Sequence, residues 1–179
     1  NEVLSRRLGI PITLSLVFIE VGKRLGIPLL GVGMPGHFLL RHKNEENLFI
    51  DPFHKGVLLS KEECTQRMSQ VTQANIPWDA KFLTPLSNRA YLARLLRNLK
   101  GIYWQTRDYS KALNIIHSLV SLYPESSQER RDRGMVHLQL GQQQQALSDL
   151  EFYLDSMSNG ADTEDVQRLV IRIKGLPKT

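Results

Sequence analysis

The first half of the chain is predicted to be α+β and the second half all-α. Three observations carry this. Short apolar runs separated by Gly, Pro and polar residues fill positions 29–59, the punctuation of short strands. The pentapeptide Arg-Leu-Gly-Ile-Pro occurs at 7–11 and again at 24–28, and each copy reads as a helix end. Ala112 and Ala146, each early in a helix-forming stretch, stand 34 residues apart.

In each copy of the pentapeptide, Gly can take the left-handed conformation just past the last turn, and Pro soon after cannot continue the helix. One helix should therefore end near Leu8 and a second near Leu25. Pro11 also suits the first turn of the second helix, where no backbone N–H is needed. Ile12, Leu14, Leu16, Val17, Phe18, Ile19 and Val21 make that helix apolar on much of its surface, so central burial is expected. Strands are expected at Leu29 to Met34, His37 to Arg41, Leu48 to Asp51 and Val57 to Leu59. The polar segment His42 to Asn47 has hairpin length, which makes the strands around it antiparallel. Ser60-Lys61-Glu62-Glu63 fits a capping box that opens a further helix. Helix, antiparallel sheet, then helix is an α+β order.

In the second half, Asp108-Tyr109-Ser110-Lys111-Ala112-Leu113 begins one helix and Gln142-Gln143-Gln144-Gln145-Ala146-Leu147 another. Their spacing is the period of a tetratricopeptide repeat. Tyr103 fits the aromatic of a first helix, Pro124 closes the first repeat, Gly134 fits a close-packing position, and Gly141 the turn that follows. Two positions depart from the pattern: Lys100 stands where the second copy has Gly134, and Ser158 where the first has Pro124. A final helix over Thr163 to Lys174 would cap the array.

Composition narrows the classes. Hydrophobic residues at 41% and charged residues at 23% fit a globular chain of 179 residues, long enough for two small domains. A single cysteine excludes an internal disulfide framework and fits a reducing, cytoplasmic setting. No apolar run reaches the ~18 residues of a membrane span, the best candidate, Ile12 to Val21, being interrupted by Glu20. The chain opens at Asn1 rather than Met, as a piece of a longer protein would. The net charge of +5 is dispersed, and its densest cluster, Arg130, Arg131 and Arg133, is interrupted by Glu129 and Asp132. This reads as a solvated helix surface rather than a nucleic-acid face.

The segments Arg6-Arg7-Leu8-Gly9-Ile10-Pro11-Ile12-Thr13-Leu14-Ser15, Pro35-Gly36-His37-Phe38-Leu39-Leu40-Arg41 and Phe49-Ile50-Asp51-Pro52-Phe53 resemble the transglutaminase-like superfamily. With Glu129-Arg130-Arg131-Asp132-Arg133-Gly134, nearly the whole chain resembles the SirB-type bacterial proteins. The resemblance implies a papain/transglutaminase-like domain with a small antiparallel sheet over 1–88, followed by a tetratricopeptide-repeat-like helical domain over 89–179. It also implies a Cys–His–Asp triad, in which a thiolate attacks a carbonyl carbon, an imidazole shuttles protons and a carboxylate orients the imidazole.

His37 and Asp51 match the second and third members of that triad. The first has no match, because the expected cysteine would fall near Pro11 to Thr13. Thr13 and Ser15 are the hydroxyl candidates there, and a hydroxyl needs a base at hydrogen-bond distance to act. Cys64 follows both His37 and Asp51 and reads as a structural thiol. His37, His42, Asp51 and His54 could supply metal ligands, but their spacings match no zinc signature, so no metal and no cofactor is expected. The favoured expectation is a protein- or peptide-binding, regulatory scaffold that engages its partner through the helical repeats. The alternative is a Thr- or Ser-dependent amidase, peptidase or acyltransferase using His37 and Asp51. Oligomeric state is left open.

Overall fold

The computed structural model describes residues 2–72, 76–157 and 162–175. Asn1 and the repeat position Ser158 lie outside them. The chain divides into two compact units, Asn1–Leu92 and Ala93–Thr179.

The first unit begins with α1 (Glu2–Arg6) and α2 (Pro11–Arg24). The two pentapeptides end their helices differently. After α2, Gly26 takes φ +73° as the motif predicts; after α1, the left-handed residue is Arg7, at φ 53°, and Gly9 is not left-handed. Gly9 is instead held by space, since a Cβ there would lie 2.8 Å from the Thr13 hydroxyl. The expectation that α2 is centrally buried is corrected. Ile12, Ser15 and Gly22 face inward, whereas Leu16, Phe18 and Val21 are exposed.

Four strands follow: β1 (Leu29–Val32), β2 (Leu39–His42), β3 (Phe49–Asp51) and β4 (Val57–Leu59). They form one antiparallel sheet in sequence order. Register places Val32 opposite Leu39, and Arg41, Phe49 and Leu59 side by side. Side chains alternate between faces, so Val32, Leu39, Phe49 and Leu59 share one face. They form a core there with Cys64 and Met68 of α3 (Lys61–Val71). α3 opens on the predicted capping box: Ser60 Oγ accepts from the Glu63 amide, and the Ser60 amide donates to Glu63 Oε2 at 2.7 Å. Helices and a small antiparallel sheet are thus segregated as an α+β fold requires.

The second unit takes in most of α4 (Asn88–Gln105), then α5 (Tyr109–Leu122), α6 (Ser127–Gln139), α7 (Gln143–Ser156) and α8 (Thr163–Lys174). The 34-residue period is visible in the backbone. Arg107 and Gly141 occupy equivalent turns and are both left-handed, at φ 57° and 73°. Ala112 and Ala146 are fully buried. Gly134 sits where α6 meets α7, and a Cβ there would lie 2.8 Å from Leu150 Cγ and 3.2 Å from the Ala146 carbonyl. In the first repeat Lys100 takes that position and turns to charge pairing, with Nζ donating to Glu129 Oε2 at 2.7 Å and Asp132 Oδ2 at 2.6 Å. A cavity of about 310 Å³ lies among α4, α6 and α8, lined by residues that include Trp104, Met135, Val166 and Leu169. Among the described residues, no helix is long and apolar enough to cross a membrane.

Candidate active site

His37 is delivered by a tight turn rather than by a strand. The sequence predicts a strand from His37, but β2 begins at Leu39. Met34-Pro35-Gly36-His37 has the Pro–Gly order of a type II turn, with the His37 amide donating to the Met34 carbonyl at 3.2 Å. Gly36 has φ +70°, and a Cβ on it would press to 3.0 Å against Val71 and Thr72. Glycine is therefore required there for both conformation and space.

Asp51 ends β3 and caps the short 3₁₀ turn Pro52–His54. Pro52 fits the first position of that turn because no amide is needed there. Asp51 Oδ1 accepts from the amides of Phe53 at 3.1 Å and His54 at 3.2 Å. Its Oδ2 faces two imidazoles, His37 Nε2 at 2.9 Å and His54 Nδ1 at 2.8 Å. The guanidinium of Arg67 on α3 stands 3.8 Å from the same oxygen. The carboxylate is wholly buried. Burial pushes its pKa up, but the hydrogen bonds and charges of His37 and then His54 outweigh that and hold it down at about 2. An ionised carboxylate only accepts, so both facing ring nitrogens carry protons. That leaves Nδ1 of His37 as the ring nitrogen free for chemistry.

The hydroxyl candidates do not meet that nitrogen. Thr13 Oγ1 donates to the Ile10 carbonyl at 2.9 Å and accepts from the Ile10 amide at 3.0 Å, which satisfies the start of α2. Ser15 is fully buried, and its Oγ has no hydrogen-bond partner among the described residues. The α2 start is fixed by Tyr91, whose buried hydroxyl donates to the Ile12 carbonyl at 2.6 Å. Cys64 lies in the core, where burial, and next the charges of Glu63 and Asp51, push its thiol up to about 12. At neutral pH it is no thiolate.

Arg67 and Tyr91 extend this site beyond the residues singled out in the sequence, and His54, named there as a possible ligand, joins it one 3₁₀ turn beyond the Asp-Pro cap. His37, Asp51 and His54 hold potential ligand atoms within 4.8 Å of one another, and His42 does not belong to this group. His42 ends β2, and its Nδ1 accepts from the Asn44 amide. The Arg67 guanidinium beside the shared oxygen opposes a second cation there.

Comparison with known proteins agrees with the fold class, a transglutaminase-like part followed by helical repeats. The model of the transglutaminase-like superfamily matches residues 1–97, and a tetratricopeptide repeat model matches 99–172. A UPF0162 protein of Xylella fastidiosa is 41% identical over 158 residues, covering 86% of this chain and 56% of the relative. A UPF0162 protein of Pseudomonas aeruginosa is 33% identical over 149 residues, covering 83% and 54%. Protein SirB1 of Salmonella typhimurium is 29% identical over 161 residues, covering 87% and 58%. The chain thus spans little more than half the length of these relatives. With the superfamily model matching more than half of the chain and these relatives matching most of it, the chain belongs to the transglutaminase-like superfamily and, within it, to the SirB-type proteins.

Proposed function

We propose that this protein is a cytoplasmic protein-binding scaffold whose transglutaminase-like site no longer turns over substrate. One observation carries the reading: the imidazole of His37 is held and oriented by Asp51, yet among the described residues no hydroxyl or thiol is hydrogen-bonded to it. A triad needs that contact for the base to generate a nucleophile. Thr13 is committed to its own helix start, and Cys64 is a core thiol.

Binding falls to the helical repeats. Tetratricopeptide arrays present concave helical faces to peptides, and the cavity among α4, α6 and α8 combines apolar Trp104, Met135 and Leu169 with charged Arg131 and Asp132. Such a lining suits a short amphipathic segment of a partner protein.

The alternative reading, a serine-dependent amidase or acyltransferase, draws support from the unpartnered Ser15 hydroxyl. The two separate on affinity capture from bacterial extract compared with hydrolysis of acyl and amide reporters. The scaffold reading expects His37→Ala to keep its partner and Met135→Glu to lose it, with no turnover in either. Reporter hydrolysis that vanishes in both His37→Ala and Ser15→Ala would replace it with the enzyme reading.

A further inference from the structure

The first unit carries a second polar feature, separate from the His37–Asp51 pair. Arg41 of β2 is largely withdrawn from water, with 14% of its side chain exposed. Its Nε is buried and has no hydrogen-bond partner among the described residues. The acid in ion-pair range is Glu46, 4.0 Å from Nη1, and that side chain is 79% exposed. A desolvated guanidinium with so loose a counter-ion is costly unless something else pairs with it. A cavity of about 500 Å³ opens at this residue, lined also by Lys61, Trp78 and Leu83. That volume is within the range of small-molecule sites.

We infer that this cavity binds a monocarboxylate with an apolar body. The guanidinium's two terminal nitrogens, one of them 4.0 Å from Glu46 Oε1, form a planar fork that matches a carboxylate with two parallel hydrogen bonds. Lys61 adds a second positive charge to the lining, and Trp78 with Leu83 gives the body an apolar wall. Glu46 and Glu62 also line the cavity and balance Arg41 and Lys61 in number, so recognition rests on the guanidinium fork and the apolar wall rather than on excess positive charge. A phosphate, with a charge of roughly −1.5 to −2, is repelled by the same two carboxylates.

The test uses the whole chain. Its two tryptophans, Trp78 and Trp104, give two indole N–H signals in a ¹⁵N correlation spectrum, assigned with Trp104→Phe. The probes are 4-phenylbutyrate and N-acetyl-L-phenylalanine, with 4-phenylbutyramide and inorganic phosphate as controls. The expected result is a saturable shift of the Trp78 signal and not of Trp104, with a Kd of about 1 mM or tighter. The amide and phosphate should bind at least about tenfold more weakly, and Arg41→Lys, which keeps the charge and loses the fork, should weaken the carboxylates about tenfold. Binding of both carboxylates supports a free small acid as the natural ligand; binding of N-acetyl-L-phenylalanine alone supports a peptide C-terminus. The inference is overturned by any of three results: neither carboxylate saturates, the amide or phosphate binds as well, or Arg41→Lys binds at the native level. The amide comparison uses the native chain, so it stands even where a variant fails to fold.

Discussion

Asp51→Asn separates the two roles of the buried carboxylate. The change is nearly isosteric, and Asn can still accept from the amides of Phe53 and His54. It removes the charge facing His37, His54 and Arg67. The depression of the Asp51 pKa from 3.8 to about 2 corresponds to about 2 kcal/mol of stability at neutral pH, at ~1.4 kcal/mol per unit. The sign is that of a group whose folded pKa is lowered. Its contribution is fully present above the unfolded value near 4, falls to roughly half near pH 3, and is lost as pH drops through the folded value. The assay is urea unfolding of both chains at closely spaced pH values from 7 to 2, read as native minus variant stability. Other carboxylates cancel in that difference, leaving the acid limb of Asp51. A difference that stays flat from pH 5 to pH 2 would refute the reasoning, because it would mean the carboxylate gains nothing from its imidazole partners.

Three further outcomes follow from the geometry. Gly134→Ala should destabilise by about 1–2 kcal/mol, since overpacking against Leu150 outweighs the helix-propensity gain, whereas Gly101→Ala, with nothing within 4 Å of its Cβ, should stabilise by about 0.5–1 kcal/mol; thermal unfolding of the pair checks both signs. Cys64 should resist a disulfide reagent at pH 8 in the native protein and react fully in denaturant, so rapid native labelling would contradict its burial. Ser15→Ala should leave stability unchanged or raise it by a few tenths of a kcal/mol, because a buried hydroxyl without a partner is removed; a loss above about 1 kcal/mol on chemical unfolding would reveal a bond the hydroxyl makes.

The parts of the fold legible in the sequence were those with local signals. Ser60 and Glu63 announce their helix through a reciprocal cap, and Thr163 to Lys174 appear as a helix because their apolar spacing is regular. The period linking Ala112 to Ala146 carried the second unit, and even Arg107, an unexpected residue for its turn, keeps the backbone conformation of Gly141. The misreadings have physical causes. His37 looked like a strand residue because its neighbours are apolar, but Pro35-Gly36 turns the chain first. The apolar content of α2 suggested all-round burial, whereas one face is packed and Leu16, Phe18 and Val21 are open. Around Asp51, the pairing with His37 has no local signature, since the two are joined only by the sheet. Arg67 and Tyr91 reach their partners from elements further along the chain, a relation that periodicity does not encode.

At the start of α2, the Thr13 hydroxyl serves the backbone. In a thiol enzyme, the positive end of such a helix lowers the cost of an anion waiting for substrate. Here the Thr13 hydroxyl closes on Ile10 from both sides, donor and acceptor together. The same free amide end that would favour reactivity instead anchors the helix. In this chain both hydrogen-bonding capacities of the Thr13 hydroxyl are committed to closing that turn of backbone. Thr13→Cys would exchange the two hydrogen bonds to Ile10 for the weaker ones of a thiol and so loosen the start of the helix.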